Sequence, residues 1–147
     1  PDIQIEWLIG SPECEEEQLS QILSEILRDH RTSASVTCIV TEDARLQQLN
    51  REFRGKDLPT DVLSFELADT IHPKSHILGD VYISIDRARL QAREAAWPLA
   101  HEITKLAVHG VLHLLGYDHK TDTEYNQMRA QEDRYLTAAG VIVEKGA

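Results

Sequence analysis

The feature that most constrains this fold is a helix-forming apolar segment with histidines at positions 109 and 113, then Gly116 and a third histidine, His119. Residues four apart lie on one face of an α-helix, about 6 Å apart along its axis, so His109 and His113 can turn ring nitrogens toward one point. Gly116 ends such a helix in the left-handed conformation and reverses the chain, which brings His119 back as a third ligand. Leu112, Leu114 and Leu115 mark the helix as largely buried. A lone histidine in that setting is ordinarily a hydrogen-bonded core residue. Three imidazoles among leucines are costly to bury unless each finds a partner, and a single cation satisfies all three. Three neutral imidazoles suit zinc, expected as one Zn2+ per chain, and leave a fourth position open for water or substrate. Structural zinc usually has four protein ligands, often cysteines. Cys14 and Cys38 stand alone and far from the histidines in sequence, so a catalytic metal is expected.

In metallopeptidases with the His-Glu-x-x-His pattern, the glutamate beside the first histidine is the general base. Here that place is Gly110. The spacing points to a metal, and the missing carboxylate argues against a peptidase.

The run from His109 to His119 resembles the H-G-x-L-H-L-x-G-Y/H-D-H signature of the YbeY family, zinc-dependent endoribonucleases of bacterial ribosomal RNA maturation. A second block, Leu49 to Phe65, is similar to that family's L-N-x-x-Y/F-R-x-x-D-x-P-T-D/N-V-L-S-F segment, and Leu78-Gly79-Asp80-Val81 stands where the family carries its G-D-I/L element. Order and spacing match from Leu49 to the last helix, with no departure at the three ligand positions or at Arg54. The resemblance implies His109, His113 and His119 as metal ligands, with His113 and Arg54 in the catalytic set. It also implies single-strand-specific cleavage in ribosomal RNA processing, especially 3′-end maturation of the small-subunit (16S) RNA, and a part in ribosome assembly or quality control. The expected partners are ribosomal RNA, the small ribosomal subunit, and a ribosomal protein or assembly GTPase, with neither DNA nor a membrane. The alternatives are a zinc-braced assembly factor without turnover and a metallohydrolase of a non-RNA substrate.

The residues of the second block agree with phosphodiester chemistry. Negative charge builds on phosphate oxygens, and a guanidinium offers a rigid fork of donors that matches them. Without the resemblance, Arg54 would read as a surface arginine pairing with Glu52 or Asp57. Asp61 and Ser64 border a predicted strand and read as structural, supporting the site at most. Asp118, next to a ligand, either accepts an imidazole N–H or caps the turn.

A chain of 147 residues, 41% hydrophobic and 27% charged, fits a single domain over residues 1–147. No apolar run approaches the length of a membrane span and no leader pattern opens the sequence, so a cytoplasmic protein with reduced thiols is expected. The net charge of −10 opposes RNA at long range. Its carriers Glu13, Glu15, Glu16 and Glu17 cluster at a helix start, however, whereas Arg51, Arg54 and Lys56 flank the second block.

Patterning predicts an α/β (α+β) domain with a small mixed sheet of about four strands covered by helices, the metal site lying on a central helix and its following loop. Strands are expected over 2–9, 36–40 and 62–67 and through Val81, Ile83 and Ile85. Ser11 and Pro12 should open a first helix that ends near His30. Thr41 should cap a second, with Leu46, Leu49 and Phe53 inward and Gly55 at its end. Asp86 should cap a short third helix, Pro98 should open the metal helix, and a capping box from Thr121 to Glu124 should start the last, which Gly140 closes. The stretch 68–77, with its two histidines, reads as a loop.

Overall fold

The computed structural model describes residues 2–10, 14–67 and 77–141. Four strands, β1 (Ile3–Trp7), β2 (Ser35–Thr41), β3 (Val62–Glu66) and β4 (Ile77–Ser84), form one mixed sheet in the order β1-β2-β4-β3. The first three in that order run parallel, and β3 pairs antiparallel with β4 at the edge. Five helices accompany them among the described residues: α1 (Glu16–Asp29), α2 (Asp43–Arg54), α3 (Ile85–Ala95), α4 (Leu99–Leu114) and α5 (Asp122–Ala138). The expected α/β architecture, a four-stranded mixed sheet accompanied by helices with the histidine-bearing α4 packed against it, is the one observed.

Strand alternation assigns the two faces of the sheet. Val36, Cys38 and Val40 of β2 and Val81 and Ile83 of β4 point to one face, where Leu23, Ile26 and Leu27 of α1 and Val108, Val111 and Leu112 of α4 complete the main core. Ser64 of β3 faces the same way, because its hydroxyl donates to the Gly110 carbonyl of α4 at 2.9 Å. Its neighbour Phe65 must therefore face the opposite side, where it meets Phe53 of α2. So α2 covers the back of the sheet and α4 runs along the front, with the edge strand β3 between them.

Helix α4 lies unusually close to the sheet at one point. A Cβ added to Gly110 would stand 2.4 Å from Val81 Cγ1 and 3.2 Å from Ser64 Oγ, so glycine is what lets the helix seat on β4.

Several local expectations changed in three dimensions. Phe53, expected inward, shares the Leu46, Leu49 and Asn50 side of α2 and meets Phe65, but it lies in the last turn of the helix, where that contact leaves it 64% exposed. Ile85 begins α3 rather than extending β4, and Ser84 rather than Asp86 caps that helix by accepting the Arg87 N–H at 3.1 Å. Thr41 stays in β2. The opening of α2 is served instead by Asp86, whose carboxylate accepts the Asp43 N–H at 2.8 Å from across the fold. The expected cap at Ser11 and Pro12 and the histidines of 68–76 lie outside the described residues; α1 itself starts at Glu16. Thr121 does cap α5, accepting the Glu124 N–H, and Gly55 closes α2 with φ 69°.

Candidate metal centre

Two turns of α4 separate into a buried side and an open side. Val108, Gly110, Val111 and Leu112 are buried against the sheet and α1, while His109 and His113 are only partly covered. Helix α4 ends where expected. Gly116 takes φ 104°, and the Tyr117 N–H returns to the Leu112 carbonyl at 3.1 Å, closing the helix and turning the chain back. That reversal carries exposed His119 alongside the other two rings: its centroid lies 6.0 Å from that of His109 and 6.3 Å from that of His113, with planes 23° and 30° apart.

The three imidazoles are gathered but not closed. Nitrogens within about 2.1 Å of one ion would bring ring centroids to roughly 5 Å, and among the described residues no three donors already converge on a point. The chemistry of the set nonetheless fits a metal. His109 Nδ1 is hydrogen bonded to the Glu132 carboxylate of α5, which fixes that nitrogen as the protonated one and leaves Nε2 as the free donor. Burial holds the His113 pKa below the usual imidazole value; Asp118 opposes the shift, and His109, His119 and Arg54 reinforce it. The neutral form thus favoured is the one that binds metal. Glu132, 23 residues beyond His109 and on a different helix, carries no local sequence signal and was not among the residues expected here.

Asp118 is resolved toward the turn. Its carboxylate accepts the His119 backbone N–H at 2.7 Å, a bond that keeps its pKa below the ordinary aspartate range. Ser64 ties β3 to the metal helix through Gly110, and Asp61 sits away from the histidines, accepting from Gln91 at 3.2 Å. Both are structural.

Arg54 is not a free surface arginine, nor does it pair with Glu52 or Asp57; Arg51 is the residue that stands near Asp57, at 3.9 Å. Instead Arg54 Nη2 donates to the Ser64 carbonyl at 2.6 Å, and the guanidinium carbon lies 5.4 Å from the Phe65 ring centroid. One donor is spent on the backbone of the edge strand, and the rest of the fork remains available. The sheet edge thus brings a fixed guanidinium from the back face to within electrostatic reach of His113 on the front. On the other side of His109 and His119 opens a cavity of about 220 Å³, to which Lys105, Tyr125, Arg129 and Glu132 also contribute.

Gly110 gains its meaning here. The position that holds the general base in His-Glu-x-x-His peptidases points into Val81, where no side chain fits.

A family model described as "Endoribonuclease YbeY" matches residues 6–140. Among curated proteins, the Endoribonuclease YbeY of Desulfitobacterium hafniense (strain Y51) is 38% identical over 154 aligned positions, covering 95% of this chain and 98% of the relative. That of Carboxydothermus hydrogenoformans is 42% identical over 123, covering 84% and 85%. The solution structure of TM1509 from Thermotoga maritima matches with a TM-score of 0.62 at 25% identity, over 99% of each chain.

Proposed function

Because this chain belongs to the YbeY family of endoribonucleases, we propose that it cleaves single-stranded ribosomal RNA precursors on the open side of α4 near the β3 edge, with one zinc ion held by His109, His113 and His119. It is a nuclease, a hydrolase of RNA phosphodiester bonds. The observation that carries the site assignment is the gathering of three imidazole rings, with centroids 6.0 and 6.3 Å apart, near an arginine already held in place by Ser64 and Phe65.

When bound, zinc would supply Lewis acidity toward a phosphoryl oxygen or a water molecule. The chain's own groups do the rest. Glu132 orients His109 and sets its tautomer, a role that carboxylates commonly play behind metal-ligating histidines. Burial favours the neutral form of His113. Arg54 meets the charge that grows on the phosphate oxygens, and its preset position means that little reorganisation accompanies the reaction.

The alternatives fare less well. A peptidase of the His-Glu-x-x-His kind would need a carboxylate where Val81 leaves room only for glycine. An assembly factor without turnover leaves Arg54 and the open side of the histidines without a purpose.

The partners we propose are ribosomal RNA and the small ribosomal subunit, with a ribosomal protein or assembly GTPase supplying contacts that free RNA lacks. An acidic chain of net charge −10 suits a basic protein partner and weak affinity for naked RNA. No helix among the described residues is long and apolar enough to cross a membrane.

The test is cleavage of an RNA carrying the precursor 3′ end of small-subunit ribosomal RNA, with wild type and His113→Ala purified in parallel and supplied with matched zinc. Cleavage by wild type that disappears in the variant is expected. Equal cleavage by both would expose a contaminating nuclease, and cleavage by neither, free RNA and ribosomal particle alike, would overturn the reading.

A further inference from the structure

An aromatic run beside Arg54 has no part in the chemistry above. Phe53, in the last turn of α2, meets Phe65 of β3 edge to face with centroids 5.6 Å apart and planes at 70°, and Phe65 meets Tyr82 of β4 at 5.8 Å and 82°. Arg54 lies over the Phe65 ring. Core formation does not account for the outermost member, since Phe53 leaves most of its ring in water and belongs to no buried cluster.

The surroundings select a ligand. Arg51, Arg54 and Lys56 crowd this end of α2 in an otherwise acidic chain, and Arg51 remains 57% exposed despite its distant contact with Asp57. An apolar protein partner would gain nothing from these cations. A nucleotide uses both features, because it carries a π-face and, one ribose away, a phosphodiester. Aromatic rings next to arginines are a general means of holding unpaired bases without reading their identity. A duplex, whose bases are already stacked and paired, could not use the exposed ring.

We propose that Phe53, backed by Phe65, is a stacking subsite for an unpaired nucleobase of single-stranded RNA, the base adjoining the phosphate that Arg54 engages. This rests on the endoribonuclease reading and adds to it a physical source of preference for single strands. The face of Phe65 is covered by Arg54, so Phe53 presents the free ring and Phe65 fixes its place relative to the guanidinium.

The test uses the full zinc-loaded chain as wild type, Phe53→Ala, Phe53→Leu and Phe53→Trp, and a single-stranded RNA with or without an abasic nucleotide at each position flanking the cleaved bond. Because Phe53 is exposed, all four proteins should melt at similar temperatures. Phe53→Ala and Phe53→Leu should lower kcat/KM on intact RNA by about 5- to 100-fold, and Phe53→Trp should retain it. At one abasic position the wild type should fall to the rate of Phe53→Ala, with no further loss in that variant. Full activity in Phe53→Ala, equal activity of Leu and Phe at this position, or the same loss on intact RNA and on every abasic RNA would overturn the subsite while the nuclease reading stands. Absence of RNA cleavage by the wild type would remove both.

Discussion

The carboxylate of Glu132 on α5 is hydrogen bonded to Nδ1 of His109 on α4, so a helix that supplies none of the three proposed metal ligands sets the orientation of the first of them. This contact also joins the last helix to the site, since α5 buries Met128, Tyr135 and Leu136 against the core while its Glu132 faces the histidines. Replacing Glu132 by Gln or Ala should weaken zinc affinity about 10- to 100-fold without unfolding the chain. A competition titration against a chromophoric chelator measures this directly, and unchanged affinity would show that the carboxylate is incidental to the metal.

Gly110 is where helix packing and site geometry meet. In Gly110→Ala the new methyl would press on Val81 of the sheet, and overpacking of that kind costs about 1–3 kcal/mol. Chemical denaturation should show the loss, and zinc affinity should fall with it, because the strain displaces the turn between His109 and His113. A variant as stable as wild type would mean that α4 can lift from β4 freely.

For Arg54 the prediction separates catalysis from folding. Removing a preorganised donor of developing charge costs about 100- to 1,000-fold in kcat in comparable sites. Arg54→Ala should therefore lose kcat on that scale with little change in zinc affinity, and Arg54→Lys should recover only part of it, since an ammonium cannot bond Ser64 and a phosphate as a planar fork does. Single-turnover cleavage is the readout. Equal rates for arginine and alanine would remove Arg54 from the mechanism.

Glu102, one turn into α4, is 1% exposed and accepts the Trp97 indole N–H at 3.0 Å. Burial raises its pKa above the ordinary glutamate value of 4.5; Lys105 and the Trp97 bond oppose the shift, and Asp61 adds to it. A raised folded-state pKa means that the fold prefers the protonated acid. The stability this contributes is complete below pH 4.5 and is lost as the pH climbs through the folded-state value. Glu102→Gln, neutral at every pH and still able to accept from Trp97, should melt higher than wild type at pH 7, and the gap should narrow toward pH 4. A variant that melts lower at pH 7 would show that the charged form is the one the fold stabilises.

What could be read from residues alone was whatever short-range spacing dictates. The i, i+4 histidines, the Gly116 reversal that returns His119, the Thr121 cap and the apolar stripe of α1 each depend on contacts a few residues apart, and each is present in the structure. Arg54 was legible only through its family resemblance, because one arginine among several charges has no local signature. Tertiary structure decided everything that depends on distant segments meeting. It put Glu132 rather than Asp118 in the role of imidazole partner, since the carboxylate adjacent in sequence turned to its own backbone. It made Asp86 the cap of a helix forty residues upstream. It left Phe53 largely uncovered in the last turn of α2, although that residue shares the face of Leu46 and Leu49 and meets Phe65 of the sheet. Periodicity states which residues share a face, but which face meets the sheet depends on how all the elements fill one volume, and that is a property of the packed whole.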